Sequence, residues 1–214
     1  MILAIDTSIG TSVAVLGDDG EVLAERSSAD TRGHAESIGP LLASLFRSPE
    51  GSEDVLHAEG PVLLKKEAVG AVVVGMGPGP FTGLRVGIAA ARAFAVGRGV
   101  PVWPVLSHDA VAAGVDAAEG GFAVVTDAKR REHYLTRYSG IEDGVPARTG
   151  GPELVRLEEY ALDVLAVRPD AVSAARLGAV ALRRRALGLP TGPERPQYLR
   201  EPDVTPSAGP KRVS

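Results

Sequence analysis

The sequence predicts an α/β fold of two lobes, with the second lobe reduced. Two short apolar strands, Met1–Asp6 and Phe122–Thr126, each end at an acid, Asp6 and Asp127, and each opens a strand-rich stretch. Alternating strand patterns then give way to amphipathic helical ones, which is how a chain reads when helices cover sheets. The 214 residues suffice for one large domain or two small ones with a real core. The lobes are expected at 1–106 and 107–196, followed by a tail at 197–214.

The elements follow in order. Met1–Asp6 is a buried strand, and Ser12–Leu16 alternates with Val13 and Val15 on one face. Asp18-Asp19-Gly20 favours a hairpin turn, so Glu21–Arg26 returns as a third strand. His34–Phe46 carries apolar residues at helical spacing: Ile38, Leu41, Leu42, Leu45 and Phe46. Pro40 inside that stripe predicts a kink, or a helix whose regular part begins near Gly39. Ser48–Lys66 reads as an irregular insertion, and Val69–Gly75 as a buried central strand. A stiff Gly-Pro loop leads into an Ala-rich helix from Leu84 to about Gly97. Gly99–Leu106 is a short strand, with prolines suited to a sheet edge, and Ser107 is placed to cap the next helix.

In the second half, Phe122–Thr126 and Glu132–Tyr138 form a hairpin, and a third strand starts near Val145. Leu157–Ala166 and Ala171–Leu187 read as helices, with no further strand between Gly150 and Leu187. From Gly188 onward Pro and Gly punctuate a mobile tail.

Composition excludes several chemistries. No cysteine is present, so disulfides, thiolate metal sites and cysteine nucleophiles are absent, in keeping with a reducing, cytoplasmic setting. The opening residues lack a basic n-region, and no apolar run approaches the length of a membrane span, so neither a signal peptide nor a membrane anchor is expected. The formal net charge of −4 is not that of a protein that grips nucleic acid alone. Lys129-Arg130-Arg131 and Arg183-Arg184-Arg185 read as solvated faces. The histidines His34, His57, His108 and His133 make no HxxxH or HExxH pair, so no metal site is expected; His34 orients or caps its helix.

Two motifs remain. Asp6, Thr7, Ser8, Gly10 and Thr11 form an acid-ended strand and a small-residue loop. Such a loop can wrap phosphate with backbone N–H groups, although a capped hairpin turn is the simpler reading. Gly77, Pro78, Gly79, Phe81, Thr82 and Gly83 form either a rigid strand-to-helix corner or a loop that binds an anion at the start of the next helix, without the Gly-Lys-Ser/Thr of a Walker loop. Arg85 in the following turn adds a charge or meets a neighbouring carboxylate. The small residues of that helix, together with Phe94 and the Ile38–Phe46 stripe, either leave apolar surface for a partner or only cover the sheet, two readings that periodicity does not separate.

These segments resemble the TsaB (YeaZ) family. MILAIDTSIGTSVAVL resembles its opening strand and hairpin, RGHAESIGPLLASLF its first helix, and VVVGMGPGPFTGLRVGIAAARAFA its most diagnostic segment, with Pro80 in a serine slot. VVTDAKRREHYLTRY and PQYLREPD resemble later family stretches. The resemblance implies an actin-like ATPase (ASKHA, ribonuclease H-like) fold and a non-catalytic scaffold role without a cofactor. Its implied partners are the catalytic subunit TsaD and the ATPase TsaE, for threonylcarbamoyl transfer to adenosine 37 of tRNAs reading ANN codons. It also implies a homodimer when alone, and contact with tRNA only through the complex. The family pairs through the helices that correspond to about Gly33–Phe46 and Thr82–Gly97, which nominates His34, Ile38, Leu41, Leu42, Leu45, Arg85, Ala90 and Phe94 as interface residues. The competing reading is an ASKHA-type small-molecule kinase, opposed by Lys129-Arg130-Arg131 where a Gly-rich phosphate loop is needed. A metallopeptidase is opposed by the missing HxxxH pair.

Overall fold

A computed structural model describes residues 1–31, 33–46, 64–116, 121–160 and 162–200. His57, most of the Ser48–Lys66 insertion and the end of the tail from Glu201 lie outside the described residues.

The first sheet is built from β1 (Ile2–Asp6), β2 (Thr11–Leu16), β3 (Val22–Ser28), β4 (Ala71–Gly75) and β5 (Val102–Val105), in the order β3-β2-β1-β4-β5. β1, β2 and β3 form an antiparallel meander, while β4 and β5 run parallel to β1. Every residue of β1, β2 and β4 is buried, because both faces of this sheet are covered. One face carries α1 (His34–Leu45) and α2 (Phe81–Arg98); their core includes Leu3, Ile5, Val72, Val74, Leu84 and Ile88.

α1 starts at His34, so the expectation of a regular helix beginning only near Gly39 fails. Pro40 is exposed and stands within the helix. α2 ends at Gly99, whose left-handed φ of 65° lets its N–H bond back to Ala95 and Val96.

The second sheet repeats the plan with fewer parts. β6 (Phe122–Asp127), β7 (His133–Glu142), β8 (Val145–Val155) and β9 (Leu165–Val167) lie in the order β8-β7-β6-β9. β6–β8 form an antiparallel meander, and β9 pairs parallel to β6. Thus β6 mirrors β1 and β9 mirrors β4, but among the described residues the fifth strand is missing, as is a helix between β8 and β9. Leu157–Glu159 makes only a single 3-10 turn. The helix expected over Leu157–Ala166 is therefore wrong. Pairing with the open edge of β6 (Phe122 with Leu165, Val124 with Val167) outweighs local helical propensity.

α3 (Ser107–Ala112) and α4 (Ala174–Ala186) join the sheets. α4 covers β1 and β2 on the face opposite α1 and α2, and one continuous core holds Ile2, Leu16, Phe122, Tyr138, Leu177 and Val180. Buried Asp109 of α3 accepts from Tyr138 Oη at 2.8 Å, Arg148 at 2.8 Å and Arg184 at 3.1 Å, tying α3 to β7, β8 and α4. Arg184 is thus not part of a solvated face; its neighbours Arg183 and Arg185 are exposed.

His108, fully enclosed, lies 2.8 Å from Thr136 Oγ1 and 3.0 Å from Thr126 Oγ1, bridging β6 and β7. Burial, assisted by the Arg148 charge, holds its pKa down at about 3. The ordinary value of 6.5 applies once the chain unfolds, so between those pH values the unfolded chain binds the extra proton. Stability is full above about pH 6.5 and falls as the pH drops toward 3, by at most about 1.4 kcal/mol per pH unit. His108→Gln, which keeps a donor and an acceptor for the two threonines, is expected to flatten this slope in urea titrations repeated across pH. An unchanged slope would show that His108 is not the group responsible.

The stretch from Gly188 to Arg200 is not a free tail. Gly192 presses on Pro104 and Val105, Gln197 N–H donates to Met76 O, and Tyr198 meets Phe81 with ring centroids 4.8 Å apart. Arg200 donates to Ala128 O at 2.6 Å. The Pro- and Gly-rich composition permits an extended strap that has no secondary structure of its own but is anchored by contacts distant in sequence.

Candidate functional site

The two sequence motifs meet at one junction. Asp6 ends β1 beside the β1–β2 loop, and α2 begins after the Gly77–Pro80 corner. That corner includes a cis peptide bond between Gly77 and Pro78. Glycines at 79, 83 and 87 face the β1–β2 loop at one-turn spacing. A Cβ on Gly79 would sit 3.0 Å from Ser8, one on Gly83 2.8 Å from Thr7 O, and one on Gly87 would collide with Thr7 Oγ1. The glycines therefore let α2 cross the loop at backbone contact distance. Thr7 Oγ1 donates to Gly83 O at 2.8 Å and fastens the crossing.

The side chains of Asp6, Thr7, Ser8 and Thr11 are engaged within the chain. Asp6, Thr7, Ser8 and Thr11 are all buried, and Gly10 holds the positive φ of 63° that the turn requires. Asp6 Oδ1 accepts from Ser8 N and Ser8 Oγ at 2.8 and 2.6 Å, and its Oδ2 accepts from Ser107 Oγ at 2.5 Å. Burial raises the Asp6 pKa, opposed by the hydrogen bonds from Ser107 and Ser8. Ser107 is not a helix cap, contrary to expectation. Its hydroxyl serves Asp6 and accepts from Gly77 N at 3.1 Å, joining α3 to the corner. No sequence signal linked Ser107 to Asp6, because the two stand 101 positions apart.

His34, the first residue of α1, is buried, and its Nδ1 lies 3.0 Å from Thr11 Oγ1. It orients the helix against the loop, as expected, and makes no side-chain cap. Among the described residues Arg85 meets no carboxylate. Its guanidinium lies 5.1 Å from the centre of the Phe81 ring.

The outer face of α1 and α2 is the second feature. Of the nominated interface residues, His34, Ile38 and Leu45 are buried within this chain, whereas Leu41, Leu42, Ala90 and Phe94 are half-buried and Arg85 is exposed. Phe46 and Phe94 stack between the helices, with centroids 6.2 Å apart. Beyond them Ala89 and Ala93 are exposed, and Val96 is 83% exposed. The sequence reading missed Val96. Its signal was the helical spacing from Ala89 through Ala93.

The protein-family model for tRNA N6-adenosine threonylcarbamoyltransferase, TsaD, matches residues 21–151. A relative in Escherichia coli, the tRNA threonylcarbamoyladenosine biosynthesis protein TsaB, is 32% identical across 67% of this chain and 57% of its own length. The chain belongs to the TsaB/YeaZ family. A protein of Mycobacterium tuberculosis with no assigned role is 36% identical over 97% of this chain and 95% of its own length. A solved Pseudomonas aeruginosa structure, described as similar to peptidase YeaZ, covers 93% of this chain and 99% of its own, with a TM-score of 0.71 at 24% identity. The fold is accordingly actin-like, as TsaB/YeaZ family membership implies.

Proposed function

We propose that this chain acts in tRNA threonylcarbamoyladenosine biosynthesis as a non-catalytic scaffold that pairs with a TsaD-type catalytic subunit. The E. coli relative, named for that pathway, supports the process. The observation that carries the scaffold role is the closed junction. Where an ATPase of this fold would receive phosphate, Thr7, Ser8 and Thr11 are buried under α1 and α2, and Asp6 is bonded to Ser8 and Ser107. A kinase needs that loop open, so the same geometry weighs against the kinase reading.

In this reading the unit 1–106 carries the partner surface: Leu41, Leu42, Ala90 and Phe94, extended by Ala89, Ala93 and Val96, with Arg85 at one end. His34, Ile38 and Leu45 support it from beneath. The glycine-rich corner positions α2, and the smaller unit 107–196 buttresses the sheet through α3 and α4. The same face serves a homodimer when the chain is alone, a TsaE-type ATPase joins the assembled complex, and the setting is cytoplasmic. The test is association with a TsaD-type subunit from the same source in solution. A stable heteromer supports the scaffold. No association, combined with ATP turnover by the isolated chain, would favour a kinase.

A further inference from the structure

The β6–β7 turn is unusual in its backbone. Lys129, Arg130 and Arg131 all hold left-handed φ angles, 66°, 54° and 64°. Each such residue that is not glycine is strained, and a run of them persists only where surrounding contacts enforce it. Those contacts are present. Ala128 N–H donates to Glu132 O and Glu132 N–H to Lys129 O, closing the turn. Asp127 Oδ1 accepts from Lys129 N at 2.8 Å, and Arg200 donates to Ala128 O while pairing with Glu132 at 3.8 Å. The result is a fixed tip with three consecutive exposed cations. The Lys129–Asp127 pair is open to water on both sides, at 74% and 59% exposure, so it holds Lys129 only weakly.

The strap extends this tip into a longer surface. Two residues before Arg200, Tyr198 is 39% exposed and packs on Phe81, and Arg85 lies over the same Phe81 ring. A basic tip thus adjoins an aromatic platform with a further cation beyond it, in a chain whose net charge is −4. Cations that track a phosphate backbone beside an exposed ring on which a base stacks are the elements of single-stranded RNA recognition.

We propose that the surface formed by Lys129, Arg130, Arg131 and Tyr198 binds the phosphate backbone and an unstacked base of a looped RNA. This rests on the tRNA-modification reading and deepens it, because it gives the scaffold a direct contact with the RNA. Arg200 acts as a positioning residue that holds the tip toward the platform.

The test measures fluorescence anisotropy of a labelled, unmodified tRNA anticodon stem-loop with the full chain across a salt series. The triple variant Lys129→Asn, Arg130→Asn, Arg131→Asn keeps the turn, since asparagine tolerates the left-handed region. Its thermal unfolding checks that the fold is retained. The proposal predicts at least a tenfold loss of affinity and a log–log salt slope shallower by about 2, as lost contacts to three phosphates would give. Tyr198→Ala should weaken binding while leaving the salt slope unchanged. Equal affinity of the triple variant and the unaltered chain would overturn the proposal, as would an unaltered chain that binds no RNA. Polyglutamate competing as well as RNA would overturn it too, and would identify an acidic-polypeptide surface instead. Light scattering of the same variant with the TsaD-type subunit separates the two claims. Retained pairing with lost RNA binding is expected. Loss of pairing would move the tip into the protein interface and overturn the RNA contact while leaving the scaffold standing. Failure of the unaltered chain to pair would count against the scaffold alone.

Discussion

Val96→Glu is expected to abolish pairing with the TsaD-type subunit while leaving the chain folded. Val96 is 83% exposed, so a carboxylate there meets water in the isolated chain, and surface changes of this kind alter stability by about 0.5 kcal/mol or less. In a partner-covered face the same carboxylate is desolvated without a counter-charge. Burying a carboxylate without a partner costs about 2 kcal/mol or more, so affinity should fall by at least about thirtyfold. The burial pattern matters for this choice. Leu45→Glu would place a charge in the core, because Leu45 is only 3% exposed and packs with Ile38, Val72 and Leu84. Such a variant would fail to fold and say nothing about pairing. Normal pairing by a folded Val96→Glu protein would remove the end of α2 from the interface.

Asp109→Ala is the change expected to damage stability most. Asp109 is fully buried and is shared by Tyr138, Arg148 and Arg184. Removing it strands two partly buried guanidinium groups and a buried phenol. Breaking a buried ion pair from one side costs about 3–5 kcal/mol. Urea denaturation should register that loss, and Asp109→Ala combined with Arg184→Met should recover part of it, because the second change removes one stranded charge. A loss below about 1 kcal/mol would show that Asp109 does not hold α3, β7, β8 and α4 together.

The legible parts of this fold are those written in local pattern. The Asp18-Asp19-Gly20 turn, the stripe of α1 and the apolar runs of β1 and β4 all appear where the spacing put them. β9 was hidden because three residues carry no period, and what makes them a strand is the open edge of β6. The strap was hidden for a related reason. Gln197 and Tyr198 are anchored by Met76 and Phe81, more than a hundred positions away, and Pro and Gly composition reads the same in a free tail.

The site shows the same division. The Gly-Pro corner stood out, but the sequence suggested an anion-binding loop or a stiff turn. Its glycines are instead spaced to let α2 touch Thr7 and Ser8. The Ser107–Asp6 bond, which helps to close the would-be phosphate site, links two segments that no local pattern connects. Likewise Arg183-Arg184-Arg185 looked uniform, yet only the helical phase of α4 turns Arg184 inward to Asp109.

On the proposed reading, this closed, actin-like chain works by holding a catalytic partner. Size-exclusion chromatography with light scattering on the chain mixed with its TsaD-type subunit tests it most directly. A heteromer whose mass includes this 22.1 kDa chain is expected, and its loss with Val96→Glu. Two separate peaks, with or without nucleotide and the TsaE-type ATPase, would contradict it.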